Sequence, residues 1–220
     1  MIKLLIYKEI LNELRSKESI ISMIVFGVSI ILIISFTINP ISIEIQKILP
    51  GVFWLTYLFT SIIGLLRLYS SEKEYSAFNL LLLSPIERGN IFIAKMISIW
   101  LFILITQIIT IPLFILILQF SIPNNYLAFI IFLLLSNWAI AAIGTTISGI
   151  GMRTKMSEVL IPILLYPLLS PVIISSVKIT QAMQDGFLYV NYSFWVMLII
   201  TYSILFTLIG YLTFDIISEE

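Results

Sequence analysis

The hydrophobic positions along the chain fall into six long apolar runs separated by short polar connections. A helix needs about 20 mostly apolar residues to cross about 30 Å of hydrocarbon. The runs that meet this length are at about 19–39, 49–69, 91–118, 124–151, 158–178 and 191–214. The pattern predicts an all-α integral membrane protein in which residues 1–220 form a single domain with six transmembrane helices in residues 19–214.

Residues 1–17 precede the first span and have helical periodicity. One face carries the apolar side chains Leu4, Tyr7, Ile10, Leu11 and Leu14. The opposite face carries the polar side chains Lys8, Glu9, Asn12, Glu13 and Ser16. This two-faced pattern predicts an interfacial elbow helix. The segment is too polar for a signal peptide, so we expect nothing to be removed from it.

The longest polar interval lies between the second and third spans and predicts a short helix. Ser71 and Glu74 fit the capping box S-x-x-E, so the helix is expected to begin at Ser71. Pro85 disfavours helical backbone at Ser84, so the helix is expected to end by about Leu83. About 12 residues span roughly 18 Å, which is too short to cross a membrane.

The end of this short helix is apolar, with Phe78, Leu81 and Leu82 among its residues. Such a surface needs a cover, which can be the bilayer, the protein's own helices or a partner. Two interpretations stay open. The helix is either a cytoplasmic docking element or an amphipathic turn that lies on the bilayer.

Composition supports a membrane protein without chemistry of its own. Hydrophobic residues make up 60% of the chain, charged residues 11%, and the mean hydropathy is +1.12. The chain has no cysteine and no histidine, so it has no disulfide, no thiolate metal site and none of the commonest ligands of metals and haem iron. We therefore expect no directly bound cofactor, no metal site and no catalytic residue. The net charge of zero argues against nucleic-acid binding.

The lysines and arginines predict the orientation. The amino-terminal segment and the second and fourth connections carry ten of them: Lys3, Lys8, Arg15, Lys17, Arg67, Lys73, Arg88, Lys95, Arg153 and Lys155. The opposite side carries only Lys47 and Lys178. By the positive-inside rule, both termini and the short helix face the cytoplasm.

Charged residues are absent from the middle of every predicted span. Arg67, Lys95, Glu158 and Asp215 lie near cytoplasmic ends, where long side chains are expected to snorkel towards water. Coupled secondary transporters usually bind a charge at mid-membrane, so that class is disfavoured. The chain also lacks a P-loop motif, so any ATP-derived energy must come from another subunit.

Small residues and prolines mark two spans. Gly144 and Gly149 form overlapping small-xxx-small pairs with Ser148 and Thr145, which predicts close packing, either internal or at a subunit interface. The fifth span contains Pro162, Pro167 and Pro171. These prolines predict either a broken helix at a moving pathway or tolerated kinks.

Aromatic residues near the predicted periplasmic ends have the composition of interfacial anchors. These residues are Trp54, Tyr189, Tyr192 and Trp195. We expect them to bind the membrane interface and assign them no other ligand.

Three blocks carry a family resemblance. They are LPGVFWLTYLFTSIIGLLRL (Leu49–Leu68), NLLLLSPIERGNIFIAKMISIW (Asn79–Trp100) and LLYPLLSPVII (Leu164–Ile174). In order and spacing, with the elbow helix and the short helix ending at Ser-Pro, they resemble the haem exporter protein B family. That family supplies the permease of the system I cytochrome c maturation complex, which is similar to type-2 ABC exporters.

The resemblance implies a complex in the bacterial inner membrane. Two copies of the permease would pair with a soluble ABC ATPase that binds ATP, with further haem-handling membrane subunits and with a periplasmic haem chaperone. The short helix would be the coupling helix that transmits ATP-driven closure to the spans. Haem would be either exported or released on its chaperone.

Two positions depart from the family pattern. The family often has Gly-Thr before the leucine run, where this chain has Ser76-Ala77, and a histidine before the tryptophan, where this chain has Ile99. Any role of that histidine cannot occur here. Two other functions stay open, namely an ABC permease for a lipid, polysaccharide or drug, and a membrane scaffold without energy coupling.

Overall fold

In a computed structural model, which describes residues 2–38, 42–74, 87–151 and 157–219, the secondary structure is helical. The helices are α1 (Ile2–Ser16), α2 (Glu18–Thr37), α3 (Ile43–Glu74), α4 (Arg88–Leu118), α5 (Tyr126–Gly151), α6 (Ser157–Gln184) and α7 (Ser193–Glu219). A single 3-10 turn, Tyr189–Asn191, precedes α7.

The helices α2 to α7 are the predicted spans. All six are long and apolar enough to cross a membrane, which confirms the predicted count and the all-α class. The chain is a multi-pass membrane protein. Successive spans run in opposite directions, so the bundle has two ends. We call the end that carries α1 and the α3–α4 and α5–α6 connections the α1 end, and the opposite one the far end.

The core of the bundle lies along α3 and α5. The helix α5 packs against α3, α4, α6 and α7, while α2 packs mainly against α3 and α4. Large side chains of α3, including Phe53 and Tyr57, are fully buried. By contrast, α2 and α7 expose many apolar side chains, among them Val25, Ile33 and Met197, as expected of surfaces in contact with lipid.

The structure differs from the prediction at Ser71. A separate helix was expected to begin there, but α3 runs unbroken from Ile43 to Glu74, so Ser71 and Glu74 belong to its last turn. The residues that follow Leu68 include no proline or glycine before Glu74, and adding a turn to an existing helix is easier than nucleating a new one.

A helix is present at the predicted elbow, but two glutamates of its polar face point inwards. Lys17 has a φ of 57° and separates α1 from α2. The buried residues of α1 are Leu5, Glu9 and Glu13, whereas Leu4 is 73% exposed. The apolar face therefore points away from the bundle. The position of α1 at a membrane surface stays a prediction.

Candidate coupling site

The predicted coupling helix lies mostly in the connection between α3 and α4. Ser71 and Glu74 end α3. The other residues assigned to this helix lie outside the described residues: Phe78, Leu81, Leu82, Ser84 and Pro85. Their role in docking stays a prediction. The described part of the site consists of α3 and α4, which this connection joins, and of the helices that contact them.

A buried ion pair joins α1 to the base of α4. Lys95, about two turns into α4, is only 1% exposed, and its Nζ lies 3.7 Å from Oε1 of Glu9 on α1. Glu9 is 5% exposed and has a second cation nearby, because Nζ of Lys8 lies 3.3 Å from the same oxygen. The expectation that Lys95 snorkels to water is therefore wrong. The helix α1 covers the side chain, and Glu9 supplies a countercharge.

The same lysine extends the contacts to α3 and α5. Its Nζ lies 4.9 Å from the ring centroid of Tyr69 on α3, within the range of a cation–π interaction. The hydroxyl of Tyr69 donates a hydrogen bond to the backbone carbonyl of Thr145 on α5, at 3.3 Å. The four residues Glu9, Lys95, Tyr69 and Thr145 thus connect α1, α4, α3 and α5 in one sequence of contacts.

A second glutamate of α1 forms a hydrogen bond with the first span, α2. Oε1 of Glu13 accepts a hydrogen bond from the backbone N–H of Ile20, at 2.8 Å. Ile20 lies in the first turn of α2, whose amides have no partner within the helix. Glu13 therefore caps α2 from the preceding helix, and α1 is held to both α2 and α4 through its buried acidic side chains.

The predicted small residues pack internally at the α1 end. A Cβ added at Gly144 would overlap the side chain of Leu65 on α3, and one at Gly149 would lie 2.9 Å from the Phe214 ring on α7. Both glycines are buried. Of the two alternatives for this motif, the contacts within this chain favour internal packing.

The prolines of the fifth span lie on the outside of a continuous helix. The helix α6 runs from Ser157 to Gln184 through Pro162, Pro167 and Pro171. Pro167 is exposed, and the other two are half-buried. The structure shows no break at these positions, which favours tolerated kinks over a broken helix.

Sequence reasoning missed a set of buried hydrogen bonds that joins four spans. The Tyr57 hydroxyl on α3 bonds that of Thr110 on α4, with 2.7 Å between the oxygens. Gln107 on α4 and Asn137 on α5 exchange two bonds: Nε2 of Gln107 donates to Oδ1 of Asn137 at 3.0 Å, and Nδ2 of Asn137 donates to Oε1 of Gln107 at 2.6 Å. Each of these four side chains is at most 1% exposed.

Two further bonds close the set through α6. The hydroxyls of Ser176 on α6 and Ser136 on α5 share a hydrogen bond, with 3.1 Å between the oxygens. Nε1 of Trp54 on α3 donates to Oγ1 of Thr180 on α6 at 2.9 Å. The helices α3, α4, α5 and α6 are thus linked in a closed circuit. We call these four pairs the polar ring.

The polar ring also corrects one predicted anchor. Trp54 is fully buried and bonded to Thr180, so it does not face the membrane interface. Tyr189 is 59% exposed, and Trp195 is half-buried at the far end. The anchoring roles of these two residues and of Tyr192 stay predictions.

Comparison with known proteins identifies the family to which this chain belongs. A family model described as CcmB protein matches residues 1–216. A curated relative, the heme exporter protein B of Pseudomonas aeruginosa, is 24% identical over 186 residues, which are 83% of this chain and 82% of the relative. The chain belongs to the CcmB protein family.

In this CcmB-family chain, the residues quoted for the resemblance near Lys95 have packing roles. Ile99 is fully buried, and its side chain lies against Gly64 on α3. Nε1 of Trp100 donates to the backbone carbonyl of Leu134 on α5 at 3.1 Å, and its ring meets that of Trp138 edge-on. Both residues fix α4 against neighbouring spans.

Proposed function

We propose that this chain is the membrane permease subunit of an ABC-type complex for cytochrome c maturation. The observation that carries the proposal is the CcmB family match over residues 1–216 in a chain with six membrane-spanning helices. The name of the relative, heme exporter protein B, supports haem as the group that the complex handles. The subunit itself is non-catalytic.

In this proposal the energy comes from a separate ABC ATPase, which binds ATP and docks at the α1 end. Haem-handling membrane subunits and a periplasmic haem chaperone complete the assembly, with two copies of the permease. The basic residues concentrated at the α1 end support a cytoplasmic position for that end and for both termini. The membrane is then the bacterial inner membrane.

The docking element is the α3–α4 connection, with Phe78, Leu81 and Leu82 as its apolar contacts. The contacts around Lys95 support a coupling role for this connection. A displacement of the first turns of α4 would act on α1 through Glu9 and on α3 and α5 through Tyr69. Buried contacts of this kind transmit movement because packed interiors deform little.

The composition bears on what the complex does with haem. The chain has no histidine and no cysteine, the two commonest side-chain ligands of haem iron. This favours a role in which ATP hydrolysis drives release of a haem-loaded chaperone from a partner subunit, rather than one in which this chain binds the iron itself.

The test is affinity purification of the tagged protein from detergent, with partners identified by mass spectrometry and ATP hydrolysis measured. We expect an ABC ATPase and haem-handling subunits with the native chain, and loss of the ATPase with Leu81→Asp plus Leu82→Asp. The matched control is Leu188→Asp plus Val190→Asp, two exposed apolar positions at the far end. An ATPase without haem-handling subunits would reject the haem pathway, and no ATPase at all would reject energy coupling.

A further inference from the structure

The polar ring carries an inference that the family assignment does not contain. We infer that these four pairs are positioning residues that keep α3, α4, α5 and α6 closed as one unit while the complex works, so that no ligand passes between them. The inference rests on the proposed function, because it concerns which parts of the permease move when ATP is hydrolysed.

The first argument is the environment of the ring. Its side chains are at most 1% exposed and lie within spans, where water is not available to replace a broken hydrogen bond. Gln107 and Asn137 satisfy each other through two bonds. Separating α4 from α5 would leave both amides without a partner in an apolar interior, which is a costly state.

The second argument is the direction of the bonds. The Thr110 hydroxyl already donates to the carbonyl of Thr106, so Tyr57 is the donor in their shared bond. The Thr180 hydroxyl likewise donates to the carbonyl of Ser176 and accepts from the indole of Trp54, a side chain that can only donate. Each bond fits one register of the two helices, so sliding by a turn would break it.

The third argument is the contrast with α2. This helix contacts the unit through close apolar packing: a Cβ at Gly27 would lie 3.3 Å from the Thr110 methyl group, and Gly64 on α3 lies against Met23. Contacts of this type can shift without leaving polar groups unpaired. Movement between α2 and the unit is therefore less costly than movement within it.

The absence of cysteine from the chain provides a direct test. In Ser136→Cys plus Ser176→Cys, the two sulfurs replace hydroxyl oxygens 3.1 Å apart, so a disulfide can form across α5 and α6. One preparation of the assembled complex is divided into oxidised and reduced halves, and ATP-driven release of the haem-loaded chaperone is measured. We call the amount of chaperone released the output, and we expect oxidation to cause no loss of it. A loss that a reductant restores would overturn the inference.

The rate of disulfide formation provides a readout that does not depend on the cargo. A closed unit predicts the same rate with and without a non-hydrolysable ATP analogue. A rate that falls in one nucleotide state would show that α5 and α6 separate, and would overturn the inference. Failure of the proposed function is seen separately, as an absence of ATP-dependent output in the unmodified protein.

A second variant distinguishes positioning from simple stabilisation. Gln107→Leu plus Asn137→Leu removes the α4–α5 pair and leaves neither amide unpaired. We expect the ATPase to remain bound and hydrolysis to persist, while the output per ATP falls. The exchange Gln107→Asn plus Asn137→Gln keeps one amide on each helix and should restore part of the output. Normal output per ATP from the double leucine variant would contradict a positioning role.

Discussion

The far half and the α1 half of the bundle are held together by different chemistry. Towards the far end, α3 to α6 are joined by hydrogen bonds between side chains, such as the reciprocal pair of Gln107 and Asn137. Towards the α1 end, the described helices meet at glycines, such as Gly144 against Leu65, at the buried ion pair of Lys95 and Glu9, and at hydrogen bonds between a side chain and the backbone, such as that of Tyr69. Hydrogen bonds between side chains specify a register by their direction, whereas apolar contacts have no preferred direction. We therefore expect the far half to hold the register of its helices more strictly than the α1 half.

Two buried hydroxyls sharpen this contrast. Oγ1 of Thr145 and Oγ of Ser148, both on α5 in the α1 half, are buried and have no hydrogen-bond partner among the described residues. In the far half, the hydroxyls of Thr110 and Thr180 each take part in two hydrogen bonds. These two hydroxyls of the α1 half therefore lack the hydrogen bonds that fix the register in the polar ring.

The largest effect is expected from breaking the ion pair of the α1 half. Lys95→Met removes a cation from the buried Glu9 and leaves Lys8 beside it, and removal of one partner from a buried pair costs about 3 kcal/mol. The free energy of unfolding, measured by titration with a denaturing detergent in mixed micelles, should fall by this amount. In Lys95→Met plus Glu9→Leu, most of the loss should be recovered.

The matched control for Lys95→Met is Lys47→Met, at an exposed lysine of the far end. This change should alter the free energy of unfolding by less than about 0.5 kcal/mol, as is usual for surface sites. Equal losses for the two lysine variants would show that the buried pair has no special part in holding α1 to α4.

A smaller loss is expected from overpacking the glycine contacts. Gly144→Val places methyl groups where the Leu65 side chain lies, and overpacking of a dense interior costs about 1–3 kcal/mol. Gly51→Ala is the control, because a Cβ there meets no atom within 4 Å. Denaturation of both variants in mixed micelles should show a loss only for Gly144→Val. No loss there would mean that α3 and α5 are more loosely packed than the structure shows.

In the far half, a single leucine substitution should destabilise the protein more than the paired substitution if Gln107 and Asn137 are hydrogen-bonded. Gln107→Leu leaves the amide of Asn137 without this partner and should lower the free energy of unfolding by about 1–2 kcal/mol. The double leucine variant should be closer to the native protein in stability. Thermal aggregation in detergent can rank the three proteins. Asn124→Leu, at an exposed position outside the spans, is the control. Additive losses from the two leucine substitutions would argue against a bonded pair.

The sequence predicted the spans well because their length and hydrophobicity are properties of the chain itself. It predicted a helix before the first span, where α1 lies, but not that Glu9 and Glu13 face inwards, since an amphipathic pattern does not say which face meets the protein. The burial of Lys95 was missed for the same reason, because its countercharge comes from a distant segment.

The polar ring could not be read from hydropathy because serine and threonine are ordinary residues in membrane helices. A signal was nevertheless present. Gln107 and Asn137 are the amide side chains nearest the middle of the predicted spans, and an amide at that depth needs a partner. Pairing these two amides with each other would have predicted the contact between the third and fourth spans.

The smallest effect is expected from removing the hydrogen-bond donor of Trp54. Trp54→Phe keeps an aromatic ring among Phe53 and Phe132 but removes the donor to Thr180. Hydrogen bonds between membrane helices contribute about 0.6 kcal/mol on average, so the loss should be about 1 kcal/mol once the smaller ring volume is included. Trp195→Phe, at a half-buried position, should cost less when the two variants are compared in mixed micelles. If Trp195→Phe is the more destabilising change, the far half depends more on its outer aromatic residues than on the polar ring. Hydrogen bonding would then not be what distinguishes the two halves.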